Sequence, residues 1–510
     1  MKKKLCLIFS IAIANITIAQ ELKIESTFYV SSKSNVYVND DINIDNAGTL
    51  MIDSDNTNSG VLIVTGNATG TGNLTYKRYI ADTDWHFIAA PVIGQDINDF
   101  ATNVENGIAV STEGTGNYGI SFYKNDNAKG TRWQYYSSAL GVTLSAINAG
   151  DFNNGKGYAN LRESAGKYTF TGEMATTDVE VIIPAESGSS HLWSVVGNPY
   201  PSFIDGEDLL IENSGKLDSD YQALYVWDGS DYQIANFANS VKIAPGQAFM
   251  VYPAADNTTF AFTEELQSVQ EETSATFYRT AATPEITVKL ASGNVIKTTS
   301  LKYFNNTTTG LDSGWDAGTY QDEDPTFALD THLVSDSKGV RFALQSLPDS
   351  NYEASIVPLS VIAEANQTLE FSSVTANLPE GLNVFLEDKI SNTITDISTT
   401  IYEITTTQAL NGIGRFYLHT ASSVLSLEDN ILNVSLYKIN NRTLRITGFQ
   451  NQENSTIKMY SSIGKEVFTE QFRAENVQDI AIPESLTFGV YIVNILSNKG
   501  ETFTKKIIIE

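Results

Sequence analysis

Acidic side chains are the most abundant reactive groups in this sequence, and their densest grouping begins at position 312. Asp312 and Asp316 are followed closely by Asp322, Glu323 and Asp324. Carboxylate oxygens gathered in one loop are the ligands that Ca²⁺ prefers in proteins. The grouping therefore predicts a calcium site formed by Asp312, Asp316, Asp322 and Asp324, and calcium is the one cofactor that we expect. Solvated loop carboxylates are the more frequent alternative.

The sequence carries no motif that specifies a catalytic nucleophile, a zinc hydrolase or a phosphate-binding loop. Its four histidines, His86, His191, His332 and His419, are far apart, and neither Gly-x-Ser-x-Gly nor His-Glu-x-x-His occurs. Glycoside hydrolysis requires only two carboxylates at a suitable separation, and 60 acidic residues leave that chemistry open. We therefore favour a non-enzymatic protein and keep a glycan-active hydrolase as the alternative.

Tryptophan and tyrosine side chains offer a different chemistry, the stacking of an aromatic ring on the C–H face of a sugar. Trp85, Trp193 and Trp227 lie in strand-like segments that are rich in other aromatic residues. Aromatic residues at alternating strand positions usually pack in a core, so we expect these three tryptophans to be buried. If some were exposed, they would form a carbohydrate-binding surface.

Charge and cysteine content narrow the class of protein. The net charge is −28, which disfavours nucleic acid and anionic membrane as partners. Residues 1–20 combine Lys2, Lys3 and Lys4 with an apolar run and small residues, a pattern typical of a secretory signal peptide. Cys6, the sole cysteine, lies in this leader, so the predicted mature chain has no disulfide. No later apolar stretch approaches the length that spans a bilayer, so we also predict no transmembrane segment in the mature chain.

Short alternating runs of Val, Ile, Thr, Tyr and Phe, broken by turn residues, predict an all-β, multidomain chain. In residues 21–78 these runs suit the rungs of a short β-helix or β-roll, and a meander is a comparable alternative. Residues 275–420 have the strand spacing of a jelly-roll or immunoglobulin-like sandwich. A smaller region of the same style occupies residues 425–510.

An internal duplication spans residues 79–265. The segment Trp85–Pro91 aligns with Trp193–Pro199, and each is followed by an aromatic hairpin. Each copy then ends on a glycine-aromatic strand, Gly155–Tyr158 in the first and Pro245–Phe249 in the second. We therefore predict two related β-units that pack together.

Three stretches of the last region share their order and spacing with a known export signal. They are Ile457–Val467 (IKMYSSIGKEV), Gly489–Ile495 (GVYIVNI) and Lys505–Glu510 (KKIIIE). They resemble the type A C-terminal sorting domain of the type IX (Por) secretion system of Bacteroidetes. The resemblance implies a small β-sandwich that binds the type IX machinery at the outer membrane, and a secreted or cell-surface protein that passes through the periplasm. It also implies a sorting signal that contains Gly464, Lys465, Gly489, Val490, Tyr491, Lys505, Lys506, Ile507 and Ile508.

Other segments resemble patterns in large secreted flavobacterial proteins of unassigned function. They include Gly72–Tyr79 (GNLTYKRY), Val196–Ser202 (VGNPYPS) and Leu311–Tyr320 (LDSGWDAGTY), the last of which is similar to an adhesin-type β-sandwich. The resemblance implies architecture and location but no activity. We therefore predict an adhesin-like, non-enzymatic protein that binds polysaccharide or a host or biofilm surface. A glycan-active hydrolase and a structural surface spacer are the alternatives.

Overall fold

A computed structural model of the chain describes most of its residues. The described residues are 16–19, 21–114, 116–186, 188–189, 191–270, 283–321, 325–350, 352–422, 434–440, 442–448, 454–461, 464–473, 477–483, 485–497 and 502–509. Strands account for about 52% of the chain and helices for about 5%, which confirms the all-β prediction. The chain forms two compact units, Met1–Ala275 and Thr276–Glu510. The finer division into segments 21–78, 79–265, 275–420 and 425–510 remains a proposal.

The first unit begins with a short β-helix. Its strands are β1 (Ile16–Ala19), β2 (Leu22–Ile24), β3 (Thr27–Val30), β4 (Asn35–Val38), β5 (Ile42–Ile44), β6 (Thr49–Asp53), β7 (Val61–Val64), β8 (Ala68–Gly70) and β9 (Leu74–Ile80).

Three parallel ladders, β1-β4-β7, β2-β5-β8 and β3-β6-β9, form the faces of this β-helix. Each turn of the chain adds one strand to each face, as when Ile52 of β6 pairs with Val30 of β3 and with Tyr76 of β9. A meander would pair consecutive strands antiparallel, so the parallel ladders identify a β-helix. Strand β1 lies inside the predicted leader, and its backbone pairs with β4.

The duplicated region follows the β-helix. The elements of the first copy are β10 (His86–Ile88), α1 (Ile97–Thr102), a 3-10 helix (Val104–Asn106), β11 (Asn117–Tyr123), β12 (Trp133–Ser137), a 3-10 helix (Ala146–Asn148), β13 (Tyr158–Asn160) and β14 (Gly166–Gly172). Those of the second are β15 (Val179–Ile183), β16 (Ser194–Gly197), β17 (Phe203–Asp205), α2 (Gly206–Glu212), β18 (Leu224–Trp227), β19 (Tyr232–Ala235), β20 (Lys242–Ile243), β21 (Ala248–Val251), β22 (Thr258–Phe262), a 3-10 helix (Glu264–Leu266) and β23 (Gln267–Ser268).

The two copies share one strand order. The main sheet of the first copy runs β10-β13-β11-β12, and that of the second runs β16-β21-β18-β19. In both, the tryptophan-led strand pairs with the glycine-aromatic strand, and the hairpin lies beyond it. Each copy also has a short helix between its tryptophan-led strand and its hairpin, and this helix is capped by Asp96 in α1 and by Asp205 in α2. No helix within the described ranges has the length and hydrophobicity needed to cross a bilayer.

The second unit contains a β-sandwich. Its strands are β24 (Glu285–Ser292), β25 (Val295–Phe304), β26 (Ala317–Gly318), β27 (Ala328–Thr331), β28 (Phe342–Pro348), β29 (Ile356–Ala363), β30 (Thr368–Ala376), β31 (Asn383–Asp388), β32 (Thr393–Asp396), β33 (Tyr402–Thr405) and β34 (Leu410–Ala421).

The sandwich strands form one continuous path, β32-β31-β34-β29-β27-β28-β25-β24-β30-β33, and β26 also pairs with β28. The path folds back on itself, so that Phe371 of β30 lies 4.6 Å from Phe416 of β34, centroid to centroid. Leu290, Leu359 and Leu418 are fully buried between the two layers. This closure of one sheet on itself gives the predicted sandwich its core.

The second unit ends with a smaller β-sandwich. Its strands are β35 (Ser435–Asn440), β36 (Thr443–Thr447), β37 (Asn454–Ser461), β38 (Glu466–Arg473), β39 (Val477–Ala481), β40 (Gly489–Ser497) and β41 (Thr502–Ile509). The sheets β35-β36-β39 and β38-β37-β40-β41 bury Leu444, Ile457 and Val493 between them.

Candidate functional site

The main sheet of the first copy has two chemically different faces. Side chains directly opposite each other on neighbouring strands share a face. Ile88 and Tyr158 are opposite, and both pack in the core of the first copy. Phe87 alternates with Ile88, so it lies on the other face, together with Trp133 and Tyr135 of β12. One face is therefore core, and the other is aromatic.

The main sheet of the second copy repeats this arrangement. Val196 and Phe249 are opposite and belong to the core of the second copy. Tyr225, Trp227 and Tyr232 lie on the other face, where Trp227 and Tyr232 form a cross-strand pair with ring centroids 5.0 Å apart. Both copies thus present an aromatic face outside their own cores.

The two aromatic faces meet because the copies interlock reciprocally. Directly after β10, Ala89 N donates to Gly246 O at 2.8 Å, and directly before β13, Gly157 N donates to Val195 O at 3.0 Å. Gly197 N in turn donates to Gly155 O at 2.9 Å. Each copy therefore bonds its tryptophan-led segment to the glycine segment of the other.

Three half-buried rings lie around Phe87 at this junction. Phe87 is 5.2 Å from Trp133, 6.4 Å from Trp227 and 6.2 Å from Tyr232, centroid to centroid. Trp85 meets Tyr135 edge to face at 5.7 Å. We call Trp85, Trp133, Tyr135, Trp227 and Tyr232 the aromatic surface.

The tryptophans divide between core and surface. Trp193 is 2% exposed, as expected from its strand position. Trp85 and Trp227 are half-buried, so the expectation of full burial is not met for these two. Trp85 packs on Tyr135, and Trp227 packs on Phe87 and Tyr232.

Acidic groups border the aromatic surface. Asp84 precedes Trp85, and Asp228 follows Trp227 in the β18–β19 turn. The two loops are in contact, because a Cβ added to Gly229 would lie 3.4 Å from the Cβ of Asp84. Asp82 Oδ1 is 2.7 Å from His86 Nε2. We define Asp82, Asp84 and Asp228 as the acidic rim. It was not identified from the sequence, although an Asp beside Trp85 and another beside Trp227 were visible signals.

Two carboxylates of the acidic rim, those of Asp82 and Asp228, favour the ionised state. The hydrogen bond from Asp84 N lowers the pKa of Asp82, and His86 lowers it further. Burial raises the pKa of Asp228, but hydrogen bonds from Asp231 N and Ser230 N outweigh burial, and the pKa is lowered overall. The rim therefore presents negative charge and hydrogen-bond acceptors beside aromatic rings.

The predicted calcium ligands are only partly within the described residues. Asp316 is fully buried, and its carboxylate accepts from Asp312 N and Ser346 N, both at 2.7 Å. Asp312 accepts from Thr308 N at 2.6 Å. Asp322 and Asp324 lie outside the described residues. Within the described ranges no three His, Cys, Asp or Glu side chains are grouped for a metal ion. The calcium site stays a prediction.

A polar cluster in the sandwich joins two strands of the core. Arg415 donates to both oxygens of Asp388, from Nε at 3.0 Å and from Nη2 at 2.7 Å, and Tyr402 donates to the same carboxylate at 2.7 Å. His419 Nε2 lies 2.9 Å from Glu387 Oε2. Because Asp388 is fully buried and its oxygens are engaged, we interpret this cluster as a structural link between β31 and β34.

The residues of the predicted sorting signal converge at one end of the last sheet. Ser461 pairs with Tyr491, and Tyr491 pairs with Ile507 across β40 and β41. Gly464 and Lys465 form the turn that begins at Ser461. Val490 pairs with Ile508, and Gly489 pairs with Ile509. In the other direction along β41, Lys506 pairs with Ile492 and Lys505 with Val493. The structure thus brings together three stretches that are separate in sequence. Their role as the signal stays a prediction.

Comparison with known families identifies the class of the protein. Residues 427–510 match the Secretion system C-terminal sorting domain. The chain is therefore a substrate of type IX secretion, it interacts with the type IX machinery, and it is secreted or displayed at the cell surface.

The rest of the chain defines its family. Residues 7–240 and 228–419 match the Domain of unknown function (DUF8693), and the chain belongs to this family. A search of curated proteins finds no match. The family description assigns no activity, so function must be argued from the site.

Proposed function

We propose that this protein binds polysaccharide through the aromatic surface, and that it contributes in this way to adhesion outside the cell. The observation that carries the proposal is the position of Trp85 and Trp227 in the aromatic surface, where both rings keep part of their area in solvent. Rings of this kind supply flat apolar area for sugar C–H faces. The adjacent carboxylates supply acceptors for sugar hydroxyls.

The state of the acidic rim favours binding over glycoside hydrolysis. Hydrolysis needs one carboxyl group that stays protonated to act as general acid, and its pKa must be raised. The pKa of Asp82 and that of Asp228 are lowered instead. Both therefore suit the acceptance of hydrogen bonds, and we place the hydrolase second.

A polysaccharide pull-down with the secreted protein tests the proposal. Wild-type protein should be retained on at least one insoluble polysaccharide, and a Trp85→Ala/Trp227→Ala variant should lose retention. Leu140→Ala/Ile147→Ala is the matched control, because Leu140 is 77% exposed and Ile147 is 56% exposed in the same unit but outside the aromatic surface. Equal retention of both variants would refute the proposed site.

We also propose the export route. Residues 1–20 would direct the chain into the periplasm, and the sorting domain would direct it across the outer membrane of a Bacteroidetes cell. Deletion of residues 425–510 should leave the protein in the periplasm, whereas normal secretion of that truncation would refute the route. Amino-terminal sequencing of the secreted protein tests the leader, whose removal would take away β1 and expose the edge of β4.

Calcium binding by Asp312, Asp316, Asp322 and Asp324 is a separate proposal. It predicts that Ca²⁺ raises the melting temperature of the second unit and that a chelator reverses the effect. An unchanged melting curve would refute it.

A further inference from the structure

We infer that the preferred ligand of the aromatic surface is a polymer of amino sugars that carry free, protonated amino groups. The inference rests on the proposed function and adds the chemical class of its ligand. Two neighbouring features favour such a ligand: flat rings that suit pyranose faces, and the carboxylates of the acidic rim beside them.

The charge around the rings comes from two loops in contact. Asp84 lies against Gly229, and Gly229 follows Asp228 directly. Asp82 is 47% exposed at its side chain, and Asp84 is exposed as well. A chain of sugars stacked on Trp85 and Trp227 would therefore pass close to at least two carboxylates. Uronic acid or sulfated polymers would be repelled there, whereas protonated amines would be attracted.

The basic residue next to Trp133 lies at the other end of the aromatic surface. Arg132 acts electrostatically on His191, whose pKa is lowered by burial and then by Arg132. His191 is hydrogen-bonded to Tyr123, and the ring of Tyr123 is 5.0 Å from that of Trp133. At the end formed by Trp85 and Trp227 the neighbouring charged groups are instead Asp84 and Asp228, with His86 held 2.7 Å from Asp82.

Two oligosaccharides that differ only in N-acetylation provide the test. Titration of the full-length protein with a glucosamine hexamer and with an N-acetylglucosamine hexamer, at about pH 6, compares a cationic with a neutral form of one backbone. We expect the glucosamine hexamer to bind about fivefold more tightly, a modest factor because exposed ion pairs are screened by solvent. Asp84→Asn/Asp228→Asn should remove that preference, so that the two hexamers bind this variant with equal affinity, because the amide oxygens still accept hydrogen bonds but carry no charge.

A charge-matched control separates the acidic rim from the overall charge of the protein. Glu105→Gln/Glu113→Gln removes two exposed carboxylates of the same unit outside the rim, so it should keep the preference. Oligolysine tests for plain charge attraction, since it has amines but no sugar face. Binding of oligolysine as tightly as the glucosamine hexamer would overturn the inference.

The outcomes separate the inference from the proposed function. If both hexamers bind equally and the rim variant changes neither affinity, the amino-sugar inference fails while polysaccharide binding stands. If neither hexamer binds and no polysaccharide retains the protein, the proposed function itself fails. Loss of the fivefold preference in the rim variant alone, with the control unaffected, is the result that supports the inference.

Discussion

The two copies of the duplicated unit differ in where they place their leading tryptophan. Trp193 of the second copy is 2% exposed and meets Tyr225 edge to face at 4.8 Å and Tyr252 at 5.0 Å. Trp85, at the equivalent position of the first copy, is half-exposed and meets Tyr135. The same strand order therefore supports a core residue in one copy and a surface residue in the other. A ring that keeps part of its area in solvent contributes less to folding than a fully buried one.

Truncation of the two tryptophans should lower the free energy of unfolding by different amounts. Trp193→Ala should lower the free energy of unfolding of the first unit by about 3–5 kcal/mol, because it empties a closed aromatic cluster. Trp85→Ala should cost about 1–2 kcal/mol, since part of its ring is already in solvent. Urea denaturation of both variants measures the difference. Equal destabilisation by the two variants would contradict the claim that Trp193 contributes more to folding than Trp85.

The two copies also differ at the residue before Pro91 in the first copy and before Pro199 in the second. Asn198 is fully buried, donates to Ser202 O at 2.7 Å and accepts from Tyr200 N at 3.0 Å, whereas its counterpart is Ala90. Asn198→Ala should cost about 2–3 kcal/mol, because buried backbone groups lose their partners. Ala90→Gly, the control in the first copy, should cost about 1 kcal/mol. A small effect at Asn198 would show that this turn is held by its prolines instead.

The junction itself can be tested at a pair of equivalent positions. A Cβ on Gly197 would lie 2.6 Å from the Cβ of Ala89 and 2.8 Å from that of Ala248. Gly197→Ala should therefore cost about 1–3 kcal/mol through overpacking. Adding Ala89→Gly should restore part of the loss, since Ala248 still crowds the new methyl group. A double variant no more stable than Gly197→Ala would mean that the copies do not interlock here.

Acid should weaken the junction slightly through His191. Tyr123 Oη lies 2.6 Å from His191 Nε2, and the counterpart of His191 in the first copy is Thr83. Burial, with Arg132 second, lowers the pKa of His191 to about 4. The unfolded chain therefore takes up the proton first, so this contribution is present above about pH 6.5 and is lost as pH falls towards 4.

At about pH 5 we expect a loss of about 1 kcal/mol, reduced by solvent screening of the half-buried ring. The measurement is the urea midpoint of wild type and His191→Gln at about pH 7 and pH 5. His191→Gln should show a smaller change between the two pH values, and an identical change would assign the acid sensitivity to other groups.

Sequence patterns predicted which strands and repeats this fold contains better than they predicted the exposure and contacts of individual side chains. The alignment of Trp85 with Trp193 and the β-helix rungs follow from local spacing, and the sorting domain follows from three ordered stretches. The half-exposure of Trp85 could not be predicted, because it depends on how one copy packs on the other. The contact of Asp84 with Gly229 joins positions about 145 residues apart, and no local pattern encodes such a meeting.

Tryptophan fluorescence quenching tests most directly whether the aromatic surface is the binding site. In a Trp315→Phe variant, the partly exposed tryptophans are Trp85, Trp133 and Trp227, while Trp193 stays buried. A saturating amount of a retained polysaccharide should lower the acrylamide quenching constant of this variant, because the sugar chain would cover those rings. Retention on the polysaccharide with an unchanged quenching constant would contradict the account and place the binding site elsewhere.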